Sequence, residues 1–156
     1  MKANDFEIAK NKIVRAMLLG KAHCPESVAA VRKCTGLKDF VDVLNAFRMQ
    51  FKNKQFPPIS LLRELFMNEL HELNKLGVYI DQEVELNNIE NVWLFGHCKG
   101  SISSDRIKFF NIVVNDDAEV TINALPWTLQ HIHIKSSRAK VKFNKAETAI
   151  QIINQI

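Results

Sequence analysis

The chain lacks most of the residues and motifs from which familiar functional sites are built. Its 156 residues include only three cysteines, five glycines and one tyrosine. Cys24, Cys34 and Cys98 have no metal-finger spacing, and an odd number of cysteines indicates reduced thiols in a cytoplasmic protein. No phosphate loop, dinucleotide fingerprint or Gly-x-Ser-x-Gly elbow is present. The sequence therefore predicts no cofactor and assigns no catalytic residue.

Long apolar runs and strong charge of one sign are also missing. No segment approaches the roughly 20 apolar residues of a membrane-spanning helix. Residues 1–7 lead directly into an amphipathic pattern that contains acids, which is not typical of a signal peptide. The net charge is only +4, which indicates solubility more than a dedicated nucleic-acid surface. We predict a cytoplasmic or virion-associated protein with no membrane partner and no identified small-molecule substrate.

The first half of the chain has helical periodicity. Apolar residues recur at helical spacing from Phe6 to Leu18, and Pro25 suits the first position of a second helix. A third helix is predicted from Leu37 to Phe51. A fourth is predicted from Ser60 to Gly77, where glycine can end it. The sequence thus predicts a helical segment over residues 1–77.

The second half consists of short apolar segments that recur about every ten residues. Apolar and polar residues alternate in them, as they do in half-buried strands. The segments are residues 92–95, 101–103, 109–114, 119–122, 129–134 and 139–143. The last stretch, residues 145–156, has apolar residues at helical spacing and fits either a capping helix or a final strand. We predict a β-repeat domain over residues 78–156, packed with the helical segment as one unit.

The turns between these segments favour one β-architecture over another. None is a two-residue Asn-Gly or Asp-Gly loop, the strongest hairpin pattern. A meander usually contains at least one, so the fold class predicted is α+β with a short β-solenoid after the helices. An antiparallel β-sandwich is the alternative. A solenoid must also cover its two ends, by a helix or by a partner chain.

Alternation assigns the side chains to two faces. The residues predicted to point inward are Val120, Ile122, Ala124, Ile132, Ile134, Val141 and Phe143. The predicted outward row is Thr121, Asn123, His131, His133, Lys140 and Lys142.

Two histidine-containing pairs are candidate sites. His131 and His133 are two positions apart on one strand, so both point to the same face and could chelate a transition metal if His97, Cys98 or another ligand converged on them. The alternative is that they are ordinary polar residues on a solvent face. His23 and Cys24 lie beside the start of the second helix, which could activate the thiol. That pair lacks an oxyanion pocket and an orienting partner, so Cys24 more simply precedes a helix.

A basic stretch near the end of the chain is a candidate polyanion-binding surface. It contains Lys135, Arg138, Lys140, Lys142 and Lys145 and no acid. Regularly spaced bases can neutralise phosphates, and Trp127 and Phe109 could stack on the bases of a single strand. The alternative is that lysine on exposed strands prevents self-pairing.

Aromatic residues on the second face of the strands predict a protein interface. Trp93, Phe95 and Phe109 would be exposed there, and β-faces placed side by side bury such residues. This pattern predicts self-association or binding to another protein.

Three segments resemble a known group of proteins. They are Gly77–Asp81, Asn91–Gly100 and Asp117–Ala124, within a region of similarity covering roughly residues 77–143. The chain resembles small gut-bacterial and prophage-encoded proteins of uncharacterised function, with a helical N-terminal segment and short β-repeats. The resemblance implies the two-part architecture and a structural or interaction role, and it implies no functional residue.

The sequence therefore favours a non-catalytic structural or protein-interaction module that presents a β-ladder surface, and the resemblance implies an association with a phage or prophage. Binding of polyanions or single-stranded nucleic acid through Lys135–Lys145 is the first alternative. A metal-dependent enzyme using His131 and His133 is the second.

Overall fold

The computed structural model describes residues 2–20, 24–48 and 57–155. It divides the chain into two compact units, Met1–Leu76 and Gly77–Ile156. The predicted fold class is confirmed, because helices are followed by a parallel β-solenoid of about 4 turns. The alternative of an antiparallel sandwich is wrong, since every strand pairing described is parallel.

The first unit is helical in its described residues. Its helices are α1 (Ala3–Leu19), α2 (Pro25–Lys33), α3 (Leu37–Ala46), α4 (Ile59–Phe66) and α5 (Leu70–Lys75). The single fourth helix that we predicted is two helices joined by a 3-10 turn. The predicted end of the third helix at Phe51 lies outside the described residues. Helices α1 to α4 each bury apolar residues on one side, such as Phe6, Ile13 and Met17 on α1, and α5 buries Leu73.

The described residues of the second unit form nine strands. They are β1 (Val78–Ile80), β2 (Glu83–Asn87), β3 (Asn91–Phe95), β4 (Lys99–Ser104), β5 (Phe109–Val114), β6 (Glu119–Ala124), β7 (Leu129–Ile134), β8 (Lys140–Lys145) and β9 (Ile150–Gln155). The five odd-numbered strands form one sheet in chain order, and the four even-numbered strands form the other. The final stretch of the chain is thus a strand and not a capping helix.

The ten-residue period in the sequence corresponds to half a coil. Each coil places one strand in each sheet, and equivalent residues from β3 and β4 onward are twenty or twenty-one positions apart, whereas β1 and β2 pair with residues fifteen and sixteen positions later. Trp93 pairs with Val113, Val113 with His133, and His133 with Asn154. Columns of equivalent side chains therefore run along the solenoid.

The core of the solenoid lies between the two sheets. Five of the residues predicted to point inward are buried, namely Val120, Ile122, Ala124, Ile132 and Ile134. Val141 and Phe143 are partly buried and pack against the same core. Full burial of one such side chain contributes about 1.5–3 kcal/mol, so the inward columns are the main source of stability in this unit.

Acidic residues shape the corner that follows the odd-numbered strands. Asp81 and Asp116 adopt left-handed backbone conformations, with φ of 51° and 53°. The equivalent position in the coil between them is occupied by Gly96, with φ of 70°. The His97 N–H donates to Asp81 Oδ1 at 2.8 Å, and the Gly96 N–H donates to Asp116 Oδ2 at 2.9 Å. Each aspartate thus tolerates the left-handed turn and also joins its coil to a neighbouring one.

Candidate interaction site

The solenoid ends on two unpaired strand edges. β8 is the last strand of the four-stranded sheet and β9 the last of the five-stranded sheet, and neither has a further strand beside it in the described part of the chain. An edge of this kind presents backbone N–H and C=O groups that another strand can use. The strands of the first coil, β1 and β2, are edge strands as well, but β1 is buried whereas most of β9 is exposed, so exposure distinguishes the last coil.

The inward-facing side chains of the last coil are more exposed to solvent than the equivalent side chains of earlier coils. Ile112 and Ile132 are both 0% exposed, whereas Ile153, the next residue in the same column, is 43% exposed. On the other sheet Val120 is buried, and its partner Val141 is only partly buried. The apolar side chains of the last coil thus remain in contact with water.

Strand β9 has no residue that would protect its edge. It contains no charge and no proline, and its outward Ile150 and Ile152 are 57% and 46% exposed. Natural edge strands usually carry lysine, proline or a bulge to prevent pairing with other chains. The helical spacing of Ala146, Ala149, Ile150 and Ile153 left a final strand as one of two alternatives in the sequence, although its isoleucines are typical of strands.

The outer face of the four-stranded sheet carries a row of alternating charge. Glu83 pairs with Lys99, Lys99 with Glu119, and Glu119 with Lys140. Lys140 Nζ lies 2.6 Å from Glu119 Oε1. The hydrogen bond to this ammonium lowers the pKa of Glu119, and the same contact raises the pKa of Lys140. Because both groups are exposed, the pair contributes more to register than to stability.

A second row on this face consists of amides and a hydroxyl. Asn123 Nδ2 donates to Ser103 Oγ at 3.1 Å, and Asn144 Nδ2 donates to Asn123 Oδ1 at 2.8 Å. Asn144 lies on β8, so the row ends at the open edge. A strand added there would meet one amide and the lysines of β8.

The predicted basic stripe does not form one exposed surface. Lys135 is only 5% exposed, and its ammonium lies 5.3 Å from the ring centroid of Trp93. Burial lowers the pKa of Lys135 to about 8. Arg138 Nε lies 2.7 Å from Asp117 Oδ1, and Lys140 pairs with Glu119. Lys142 and Lys145 are exposed on β8, and nucleic-acid binding stays a prediction.

The histidine pair is less accessible than alternation suggested. The predicted outward exposure of His133 is wrong, since this residue is 2% exposed, while His131 is partly buried. Their ring centroids are 4.1 Å apart, and Asn154 Nδ2 lies 2.6 Å from His131 Nε2. Within the described residues no group of three or more His, Cys, Asp or Glu side chains could hold a metal ion. Cys98 lies in the solenoid core, away from solvent.

The three aromatic residues predicted at an interface differ in their accessibility. Trp93 and Phe95 are each 1% exposed and stack with ring centroids 5.7 Å apart, so their predicted exposure is wrong. Phe109 is 44% exposed. Alternation assigns a side chain to a face but carries no information on whether that face is covered.

Cys24 has a structural role at the start of α2. Its Sγ accepts a hydrogen bond from the Ser27 N–H at 3.3 Å, as an N-cap side chain does. His23, the other member of the predicted pair, lies outside the described residues. Cys34 and Cys98 are buried, and burial raises the pKa of Cys34 to about 11 and also raises that of Cys98.

We expect the native protein to show one fast and two slow thiols towards iodoacetamide at pH 8. Cys24 is partly exposed, whereas the buried pair must deprotonate against desolvation and reach the reagent through packed structure. Peptide mass mapping after timed quenching measures the three rates, and a denatured sample is the control. Equal rates for Cys24 and Cys98 in folded protein would contradict the expectation.

The described helices include none that is long and apolar enough to cross a membrane. Comparisons with protein-family models, with curated proteins and with solved structures gave no match. The resemblance to gut-bacterial and prophage-encoded proteins stays a prediction, and a functional proposal for this chain rests on its own residues.

Proposed function

We propose that the chain is a non-catalytic interaction module that receives a β-strand from a partner at the open last coil of its solenoid. The observation that carries the proposal is the exposure of Ile153 in a column whose preceding members are fully buried. A strand added at this end would satisfy edge backbone groups and remove apolar surface from water at once.

The chemistry of the last coil supports this proposal. Burial of the isoleucine side chains of β9 would contribute about 1.5–3 kcal/mol for each one fully covered. The absence of charge in β9 means that no ion must be desolvated when this strand is covered. Main-chain hydrogen bonds would give affinity, and the side chains on either face would give selectivity.

Self-association of the chain tests whether the edge strands of the last coil can pair with another strand, because at high concentration one copy can bind a strand of a second copy. We expect the full chain to associate in the micromolar range and Ile152→Lys to weaken the association constant by about tenfold or more, since a charge on the edge blocks pairing. Light scattering over a concentration series checks this. Ile107→Lys is the matched control, because Ile107 is 84% exposed and lies outside the last coil.

Two results would contradict the proposal. One is a strict monomer at all concentrations tested that also binds no added β-strand peptide. The other is an equal loss of association in Ile152→Lys and Ile107→Lys, which would indicate nonspecific apolar contact. Circular dichroism of both variants verifies that the lysines leave the fold intact.

A further inference from the structure

Within the described residues the two sheets of the solenoid have unequal numbers of strands, and the last coil has a strand in only one of them. Each coil contributes one strand to each sheet, and β7 is followed by β8 in the opposite sheet. After β9 no further strand follows in the described residues, so the sheets hold five and four strands. A space one strand wide therefore remains beside the free edge of β8 and opposite the inward side of β9. We call this space the notch.

The inner side of the notch is apolar at its centre and polar towards its ends, where Lys145 is in register with the inward Ala124 and where Gln151 and Gln155 flank Ile153. Val141 and Phe143 of β8 point inward and are partly buried against the core. Ile153 of β9 faces the same interior and is 43% exposed. A strand that fills the notch would therefore place apolar side chains opposite this centre, because polar groups there would lose water without gaining partners.

The outer side of the notch is basic. The outward residues of β8 are Lys140, Lys142 and Asn144. Lys140 is already paired with Glu119 on the preceding strand, whereas Lys142 is in register with Thr121. Directly opposed unlike charges on neighbouring strands stabilise a pairing by about 0.2–1 kcal/mol each, and like charges destabilise it. The incoming strand would therefore carry acids on its outward face.

The chain contains an example of a strand with this chemistry. Strand β2 reads Glu-Val-Glu-Leu-Asn from Glu83 to Asn87, and Glu83 is in register with Lys99 of β4. If strand β2 is aligned with Lys140–Asn144 of β8, both of its glutamates lie beside lysines. Its two apolar residues lie beside apolar residues, and its asparagine lies beside an asparagine. The alternation of charge in the sheet would continue across such a strand.

We propose that the notch binds an extended segment of a partner protein whose side chains alternate between acidic and apolar. The segment adds to β8 as a fifth strand, covers Ile153 and Phe143 with its apolar residues, and places an acid beside Lys142. This assignment rests on the proposed function and names the partner chemistry for the same site.

A labelled peptide with the sequence of residues 82–88 is the probe, and fluorescence anisotropy with the full chain is the measurement. We expect saturable binding that weakens about tenfold when the salt concentration rises from low to near-molar, because exposed charge pairs are screened. Lys142→Glu should weaken binding by about tenfold. A peptide carrying Glu83→Lys and Glu85→Lys should fail with the parent chain and bind the Lys142→Glu variant. Lys33→Glu, an exposed lysine on α2, is the control and should change nothing.

The possible results separate this inference from the proposed function. Equal binding of the acidic and the reversed peptide would overturn the charge assignment. A chain that self-associates through Ile152 but does not bind the peptide would also overturn the charge assignment, because a second copy then occupies the edge. In that case the proposed function would stand. A strict monomer that binds neither peptide would overturn both. Binding that follows the charge swap in both partners supports the inference.

Discussion

Replacing Gly100 by alanine is expected to lower the free energy of unfolding by about 3 kcal/mol or more. Gly100 has φ of 135°, a conformation that side chains rarely adopt. A Cβ atom there would lie 1.9 Å from the carbonyl oxygen of Val84, the residue with which Gly100 is in register on β2. Because the obstructing atom is backbone, relief requires β2 and β4 to move apart.

Gly36→Ala is the matched control for this substitution. Gly36 has extended backbone, with φ of −167°, and a Cβ at this position meets nothing within 4 Å. Urea denaturation of both variants is followed by tryptophan fluorescence, which reports on the solenoid unit through Trp93 and Trp127, and by far-ultraviolet circular dichroism, which also reports on the helices of the unit that contains Gly36. A Gly100→Ala variant within about 1 kcal/mol of the parent chain would show that the first two coils can shift at little cost, contrary to the packing described here.

Replacing Gln130 by alanine is expected to lower the free energy of unfolding by about 3 kcal/mol, through lost hydrogen bonds and a cavity together. Gln130 is 0% exposed. Its Nε2 donates to Ser104 Oγ and to the Asn123 carbonyl oxygen, both at 3.1 Å, and its Oε1 accepts from Gln151 Nε2 at 2.8 Å. Truncation would leave buried polar partners behind without a replacement.

Gln151→Ala tests whether position along the solenoid matters. Gln151 occupies the same column one coil later and is partly exposed, so water can replace its lost contacts. We expect its loss to cost about 1 kcal/mol or less. Denaturation curves for the two glutamine variants should therefore differ clearly. Equal losses in the free energy of unfolding would mean that water is excluded from the last coil as completely as from the interior coils.

The coil architecture could be predicted because its determinants are local. Alternation over Glu119–Ala124 identifies a strand with one buried side, and the absence of tight hairpin turns favours parallel stacking. Strand alternation and turn type both depend on the backbone conformation of a few consecutive residues. The resulting columns require no information about distant residues.

The accessibility of the faces could not be predicted in the same way. Lys135, Trp93 and His133 all alternate correctly, yet each is almost fully buried. Burial of an outward face depends on what covers it, which no spacing within a strand encodes. The left-handed turns at Asp81 and Asp116 were also missed, because aspartate in a turn has several conformational roles.

The sequence indicated that an end of the solenoid needs a helix or a partner chain to cover it, but it left the conformation of residues 145–156 open. Ile150 and Ile153 are three residues apart, a spacing that fits a helix as well as a strand. Pairing with β7 decides the conformation, and strand preference depends strongly on such tertiary context. Without β9 in place, the notch and the unequal sheets could not be recognised.

Each coil contacts only its neighbours, so the cost of opening is not uniform along the solenoid. β5 is held by a strand on either side, whereas β9 is held on one side only. The strands of the first coil, β1 and β2, are also held on one side only, but β1 is buried whereas most of β9 is exposed, so we expect fraying to begin at the last coil. Strand β9 and its coil are thus both the proposed binding site and the least stable part of the solenoid. A bound partner would therefore also stabilise the last coil against local unfolding.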